Sequence, residues 1–181
     1  MIRLASTSQT RALLLKQFGI DFIQQSSDFD EDSIDIKDPK EFVYQATKGK
    51  FEAALQQYGV QDYPLLVADT VITANNQLLR KAKDEDDAYR ILKLQSGSKV
   101  SIITCMIYKS NSKQIIDISY TDYQFRVFEQ KDIENYIKSK EWIGKAGACM
   151  VEGFCQPYIE SVHGLESTAM GLSVEKLLSF L

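Results

Sequence analysis

Leu65-Leu66-Val67-Ala68-Asp69-Thr70-Val71-Ile72 is an apolar run that carries a single carboxylate, Asp69, and Lys81 follows that residue by twelve positions. Pro64 precedes the run and Asn75-Asn76 follow it. Its length and branched aliphatic content suit a buried strand better than a helix. Burying a carboxylate without compensation is expensive, so Asp69 must meet a polar cleft, a cation or hydrogen-bond donors. A structural acid satisfied by backbone N–H groups and a reactive acid in a site both meet that condition. Spacing alone does not separate them.

Working outward from this strand, Asn75-Asn76 reads as a hairpin turn, which places Asp69 and Lys81 on or beyond its two arms. Towards the N-terminus, residues 2–5 form a short first strand, and Ser6-Thr7-Ser8 leads into a helix over residues 11–18 with Leu13, Leu14 and Leu15 as its apolar stripe. Ser8 is the expected N-cap. A hydroxyl-rich turn opening a helix offers free N–H groups and the positive end of the dipole to an anion. Arg11 opposes that dipole from the first turn, which makes sense if it meets a ligand phosphate; the alternative is a surface arginine paired with an acid. Phe22-Ile23 suggests a second strand. The stretch 28–35 then holds five carboxylates in eight residues, either a solvated loop or a source of the hard oxygen ligands that Mg²⁺ prefers. Asp38-Pro39-Lys40-Glu41 has the N-cap, proline and capping-box signals of a helix that runs to about residue 58 and carries Lys48 and Lys50.

Beyond Lys81, Asp84 to Asp87 load acids into the start of a helix ending near residue 95. Residues 100–108 and 115–128 read as long strands joined at Ser110-Asn111-Ser112, with a bulge near Asp122-Tyr123. A short helix is expected over 132–139, strand-like backbone over 148–151 among glycine turns, a further strand over 158–162, and a terminal helix over 174–180. His163, the sole histidine, has no nucleophile or ligand partner in the pattern and reads as turn or surface.

Composition narrows the function. The chain has 181 residues and no Pro/Gly/Ser-rich linker, so a single domain is expected. Twenty-one Lys and Arg stand against 25 Asp and Glu, a formal charge of -4, and no basic run is dense enough to track nucleic acid. The longest apolar run is far shorter than a membrane span, and the N-terminus lacks the apolar core of a signal peptide, which points to the cytoplasm. Cys105, Cys149 and Cys155 are read as reduced, mostly buried thiols rather than a zinc site.

Four stretches in order carry a resemblance: Leu4-Ala5-Ser6-Thr7-Ser8 with Arg11 and Leu14; Ala68-Asp69-Thr70-Val71 with Lys81; Lys145-Ala146-Gly147 with Glu152-Gly153; and Met170-Gly171-Leu172. Together they resemble the Maf, or septum-formation, family of nucleoside triphosphate pyrophosphatases over nearly the whole chain. The resemblance implies an α/β fold, an elongated mixed sheet with flanking helices and two lobes around a central cleft, related to the inosine-triphosphate pyrophosphatases. It also implies a homodimer, a divalent metal (Mg²⁺ or Mn²⁺), and hydrolysis of a nucleoside triphosphate to the monophosphate and pyrophosphate. By position, Asp69 matches the family's catalytic acid, Glu31 its loop carboxylate, and Lys50 and Lys81 its cleft lysines. Asp69 and Glu31 would share the metal. Ser8 and Arg11 match the phosphate-binding turn, and Thr10, Thr70, Lys145 and Glu152 fall at substrate-binding positions.

The departures matter too. Gln9-Thr10-Arg11 stands where the family has Pro-Arg-Arg, and Arg80-Lys81-Ala82 where it has Gly-Lys-Pro. Thr70 resembles the branch acting on dTTP and UTP, whereas Glu152 resembles the branch acting on 7-methyl-GTP; Thr10 matches neither. A carboxylate only accepts hydrogen bonds, so Glu152 would favour a donor-rich guanine edge. With Thr70 pointing the other way, the base is left open. A degenerate nucleotide-binding regulator of septum formation, without turnover, is the alternative to an enzyme.

Overall fold

The computed structural model describes residues 1–30 and 34–181, so Glu31, Asp32 and Ser33 lie outside the described residues. Among the described residues seven strands form one mixed sheet: β1 (Ile2–Ala5), β2 (Phe22–Gln25), β3 (Leu65–Ala74), β4 (Gln77–Leu79), β5 (Lys99–Lys109), β6 (Gln114–Phe125) and β7 (Ile159–His163). Their order is β2-β1-β3-β5-β6-β7, and β4 pairs with β3. The helices are α1 (Gln9–Gln17), α2 (Pro39–Tyr58), α3 (Glu85–Gln95), α4 (Gln130–Ser139), α5 (Glu166–Ala169) and α6 (Val174–Leu178). By internal contacts the chain falls into two compact units. One comprises Met1–Thr70, Ile103–Tyr120 and Leu165–Leu181, the other Val71–Ile102 and Thr121–Gly164.

In the first unit β1 lies between two parallel neighbours, β2 and β3. The crossover through α1 leads to one side of β1 and that through α2 to the other, so the strand order reverses at β1. Open α/β sheets take ligands at the carboxyl ends of strands around such a switch point. Apolar side chains of alternate residues cover both sheet faces. Leu4, Leu66, Ala68, Met106 and Tyr108 pack with Leu14 and Leu15 of α1 and with Leu172, Val174 and Leu177 of the C-terminal segment. Ala5, Leu65, Val67 and Ile107 pack with Phe51 and Ala54 of α2. With both faces covered, β3 needs no polar alternation, which is why its sequence is a near-continuous apolar run.

Local signals account for the element ends. Ser8, Asp38 and Asp84 each cap a helix by accepting a backbone N–H with the side chain. Asn75 and Asn76 take φ of 51° and 59°, the left-handed pair that a two-residue hairpin turn requires. Three expectations need correction. Leu13 is 48% exposed while Ala12, Leu14 and Leu15 are buried, because three consecutive helical residues span too wide an arc to share one face. Residues 148–151 form turns, not strand, since Gly147 and Ala148 both adopt positive φ. β6 ends at Phe125, where the chain turns aside to bond with the 96–98 turn and with Tyr158: the N–H of Phe125 donates to the Ser98 carbonyl and that of Arg126 to the Tyr158 carbonyl. The bulge against β7 lies at Gln124/Phe125, slightly later than expected.

The second unit is built around Ile91 and Leu92 of α3, Ile133 of α4, Trp142 and an aromatic cluster of Phe128, Tyr136, Phe154 and Tyr158. The three cysteines are free thiols and buried, as expected. Cys149 and Cys155 lie sulfur to sulfur at 2.6 Å. His163 ends β7 on the surface.

Candidate active site

The phase of β3 decides what Asp69 and Thr70 meet. Successive strand residues point to opposite faces, so Asp69 shares the face of Leu65 and Val67, the one covered by α2. There the Lys50 Nζ donates to Asp69 Oδ1 at 2.8 Å. Lys50 directly precedes Phe51, which packs on that same face, so the helix that covers the sheet also delivers the cation. Asp69 is 7% exposed and the Lys50 side chain only 20%, so the pair sits where a carboxylate would be costly alone and where attraction is weakly screened. Glu31, the acid expected to share a metal with Asp69, lies outside the described residues.

Thr70, one residue on, faces the α1 side. Its hydroxyl accepts from Arg11 Nη2 at 3.2 Å. Arg11 Nε donates to the Gly171 carbonyl at 2.8 Å and Nη1 to Ser6 Oγ at 3.1 Å, so each nitrogen of the guanidinium has an oxygen partner. These three acceptors are one carbonyl and two hydroxyls. Ser8 Oγ accepts the Arg11 backbone N–H at 3.3 Å, and Gln24 from β2 donates to the carbonyls of Ser6 and Ser8 at 2.8 and 3.2 Å, bracing the turn between β1 and α1. The structure therefore brings Ser8, Arg11 and Thr70 together on one face of β3 and Lys50 with Asp69 on the other. Thr10 is exposed on the first turn of α1.

Lys81, Lys145 and Glu152 belong to the second unit. Lys81 is exposed just after β4 and forms an isolated antiparallel bridge with Ala146. The Gly147 N–H donates to the Arg80 carbonyl at 3.1 Å, so the Lys145-Ala146-Gly147 turn runs alongside the backbone that bears Lys81. Buried Gln95 of α3 clamps the same turn, its Nε2 donating to the Gly147 carbonyl at 2.7 Å. The Lys145 ammonium lies 5.9 Å from the centre of the Tyr136 ring, within cation–π range. Glu152 is exposed in the turn between Cys149 and Cys155.

For a divalent metal, the donor chemistry fits one mode. Among the described residues no three His, Cys, Asp or Glu side chains group in a way that could hold a metal ion. Asp69 does supply a hard carboxylate oxygen, and Mg²⁺ is commonly held by one or two carboxylates together with substrate phosphates. Residue patterns missed Thr104, Gly171, Gln95 and the seating of Phe29 on Gly49. Thr104 left a trace in the sequence as the one hydroxyl within Ile102-Ile103-Thr104-Cys105-Met106-Ile107, and Gly171 stood in the Met170-Gly171-Leu172 stretch without a role assigned to it. Among the described residues no helix is long and apolar enough to cross a membrane.

Cations grouped around a carboxylate-bearing parallel strand, beside a capped helix start, define an α/β protein whose polar groups gather at the switch point of its sheet. Residues 1–181 match the family model described as Maf-like protein, and the chain belongs to that family. A protein of a Nitratiruptor species named nucleoside triphosphate pyrophosphatase is 56% identical over 179 residues, covering 98% of this chain and 96% of its own. Proteins of the same name from Helicobacter pylori and Campylobacter jejuni are 38% and 36% identical. They cover 98% and 100% of this chain, and 93% and 100% of their own lengths.

Proposed function

We propose that this chain hydrolyses a nucleoside triphosphate to the nucleoside monophosphate and pyrophosphate. The observation that carries the reading is the Lys50–Asp69 pair, a nearly buried carboxylate held by an ammonium on the strand beside the switch point. Family membership and the names of the relatives support the same reaction. Water attacks the α-phosphorus and gives up its proton, with Asp69 either taking that proton as general base or serving as a ligand of the metal that would acidify the water, and the bond to the bridging oxygen breaks as pyrophosphate leaves. Lys50 fixes the orientation of the Asp69 carboxylate. Arg11, Lys81 and Lys145 supply positive charge to the polyphosphate, while Ser8 and the start of α1 supply hydrogen-bond donors. Such positioning and charge neutralisation do most of the work in phosphoryl transfer, so no Ser or Cys nucleophile is needed. Asp69 and Glu31 would hold a divalent cation, Mg²⁺ or Mn²⁺, which when bound neutralises phosphate charge and acidifies water. Thr10, Thr70 and Glu152 complete the proposed substrate contacts. The acidic charge balance favours free nucleotide over nucleic acid. On the family resemblance we place the enzyme in the cytoplasm as a homodimer with a role in cleansing the nucleotide pool.

The test is pyrophosphate release from a panel of standard, methylated and deaminated nucleoside triphosphates with Mg²⁺ or Mn²⁺, before and after chelation. Asp69→Asn is expected to fold and to lower kcat by about 10²- to 10⁴-fold, the usual range for a positioned acid or base. Equal turnover by wild type and variant would reject the assignment. Nucleotide binding without pyrophosphate release from any member of the panel would favour the regulatory alternative, which the missing Pro-Arg pair and Ala82 motivate.

A further inference from the structure

We propose that Thr104 is a positioning residue that sets the direction of a three-link hydrogen-bond chain ending on Arg11. The Thr104 hydroxyl lies 2.7 Å from the Thr168 carbonyl oxygen and 2.9 Å from the Thr70 hydroxyl. A carbonyl oxygen only accepts, so the one hydrogen of the Thr104 hydroxyl goes to Thr168. The Thr70–Thr104 bond must then use the hydrogen of Thr70. With that hydrogen committed, Thr70 meets Arg11 Nη2 through a lone pair, the only match for a group that donates and never accepts. The polarity of the whole chain is fixed by the backbone carbonyl at its far end.

Burial and backbone geometry make the chain rigid. Thr104 is fully buried and Thr168 nearly so, and the Thr168 and Ser173 hydroxyls are bonded at 2.9 Å, tying down the segment that carries the carbonyl. Gly171, at φ +103°, brings its carbonyl to Arg11 Nε; a Cβ there would stand 3.2 Å from Thr70 Oγ1 and 3.4 Å from Arg11 Nε. The cradle is therefore shaped to bare backbone on one side and to two oriented hydroxyls on the other. A further consequence touches specificity. While the chain is intact, the hydrogen of Thr70 is not available to a nucleobase carbonyl, so any direct contact of Thr70 with the substrate uses its second lone pair or its methyl, while its hydroxyl orients Arg11.

The inference rests on reading Arg11 as a contact for the polyphosphate, and the experiment separates the two. Steady-state kinetics are measured with whichever triphosphate the panel turns over fastest, and inorganic tripolyphosphate is used as a base-free competitor. Thr104→Val keeps the shape and removes the link; it is expected to raise KM and the tripolyphosphate inhibition constant about five- to tenfold with kcat within about twofold, the loss of one oriented hydrogen bond. Thr104→Ser keeps the oxygen and is expected to restore both. In an Arg11→Ala background, Thr104→Val should change neither constant further. A rise in both constants with Arg11→Ala but none with Thr104→Val would overturn the positioning role. No change with Arg11→Ala would overturn the phosphate-contact reading itself. Should Thr104→Val fail to fold, Thr70→Val breaks the chain one link nearer Arg11, and unchanged constants there refute the proposal equally.

Discussion

Lys50→Met tests whether the Lys50–Asp69 pair is an energetic unit. Methionine keeps most of the aliphatic stem and removes the ammonium, so the carboxylate at 2.8 Å loses that cation while the packing beside Phe51 is conserved. Removing one partner of a fully buried pair costs about 3–5 kcal/mol, and an exposed pair contributes about 0.2–1 kcal/mol. With side chains 20% and 10% exposed, this pair lies nearer the buried limit. A loss of about 3 kcal/mol is expected after discounting for residual solvent, or about 6–12 °C in Tm for a chain of this size. Asp69→Asn still offers Lys50 an amide oxygen and leaves a lysine that can turn towards water, so its cost is smaller, about 1–2 kcal/mol. Removing both charges should be less harmful than Lys50→Met alone. Urea unfolding of the wild type, both single variants and the double variant, followed by circular dichroism, closes the cycle. The expected coupling is about 1.5–3 kcal/mol, and single effects that add to within about 0.5 kcal/mol would refute an interaction between the two side chains.

Gly49 seats the Phe29 ring: a Cβ there would fall 2.1 Å from Phe29 Cζ, so Gly49→Ala is expected to displace the half-buried ring, and because alanine returns about 1 kcal/mol of helix propensity within α2 the net cost should stay below about 1 kcal/mol. Phe29→Ala should then cost less in the Gly49→Ala background than in the wild type, as read from urea midpoints. Burial pushes the Cys105 thiol from its usual 9.0 up to about 11, against the opposing hydrogen bond of Thr47. The folded chain holds this proton after the unfolded chain has released it, so the contribution is complete below pH 9 and is lost as pH rises towards 11. Stability should fall by about 2–3 kcal/mol over that window, less steeply in Cys105→Ala, and equal slopes for the two proteins in urea titrations would refute the assignment.

Much of the architecture could be read from local signals because each has a local cause. Ser8, Asp38 and Asp84 bond N–H groups three residues ahead, and Asn75-Asn76 supply the left-handed backbone of the β3–β4 turn. Asp69 could be singled out because a carboxylate within an apolar strand needs a partner. Its partner could be placed only by resemblance, since Lys50 is one of several lysines on α2 and α2 shows only a weak polar–apolar phase. The phase of β3 was hidden for a related reason. A strand covered on both faces shows no alternation, so nothing in residues 65–72 says which neighbour looks towards α1 and which towards α2. Residues 148–151 misled because their apolar content suggests a strand, while a single alanine at φ 57° turns the backbone instead.

That hidden phase has a functional consequence. Because Asp69 and Thr70 are adjacent on one strand, they cannot share a face, and their partners come from different helices: Lys50 on α2 for one, Arg11 on α1 for the other. Asp69 and Arg11, the proposed acid and the proposed polyphosphate contact, are therefore tuned by separate sets of contacts, although Asp69 and Thr70 are joined by one peptide bond. Changes that reorient Arg11 through Thr104 or Gly171 should alter binding and leave the acid's chemistry in place. Changes at Lys50 should do the converse.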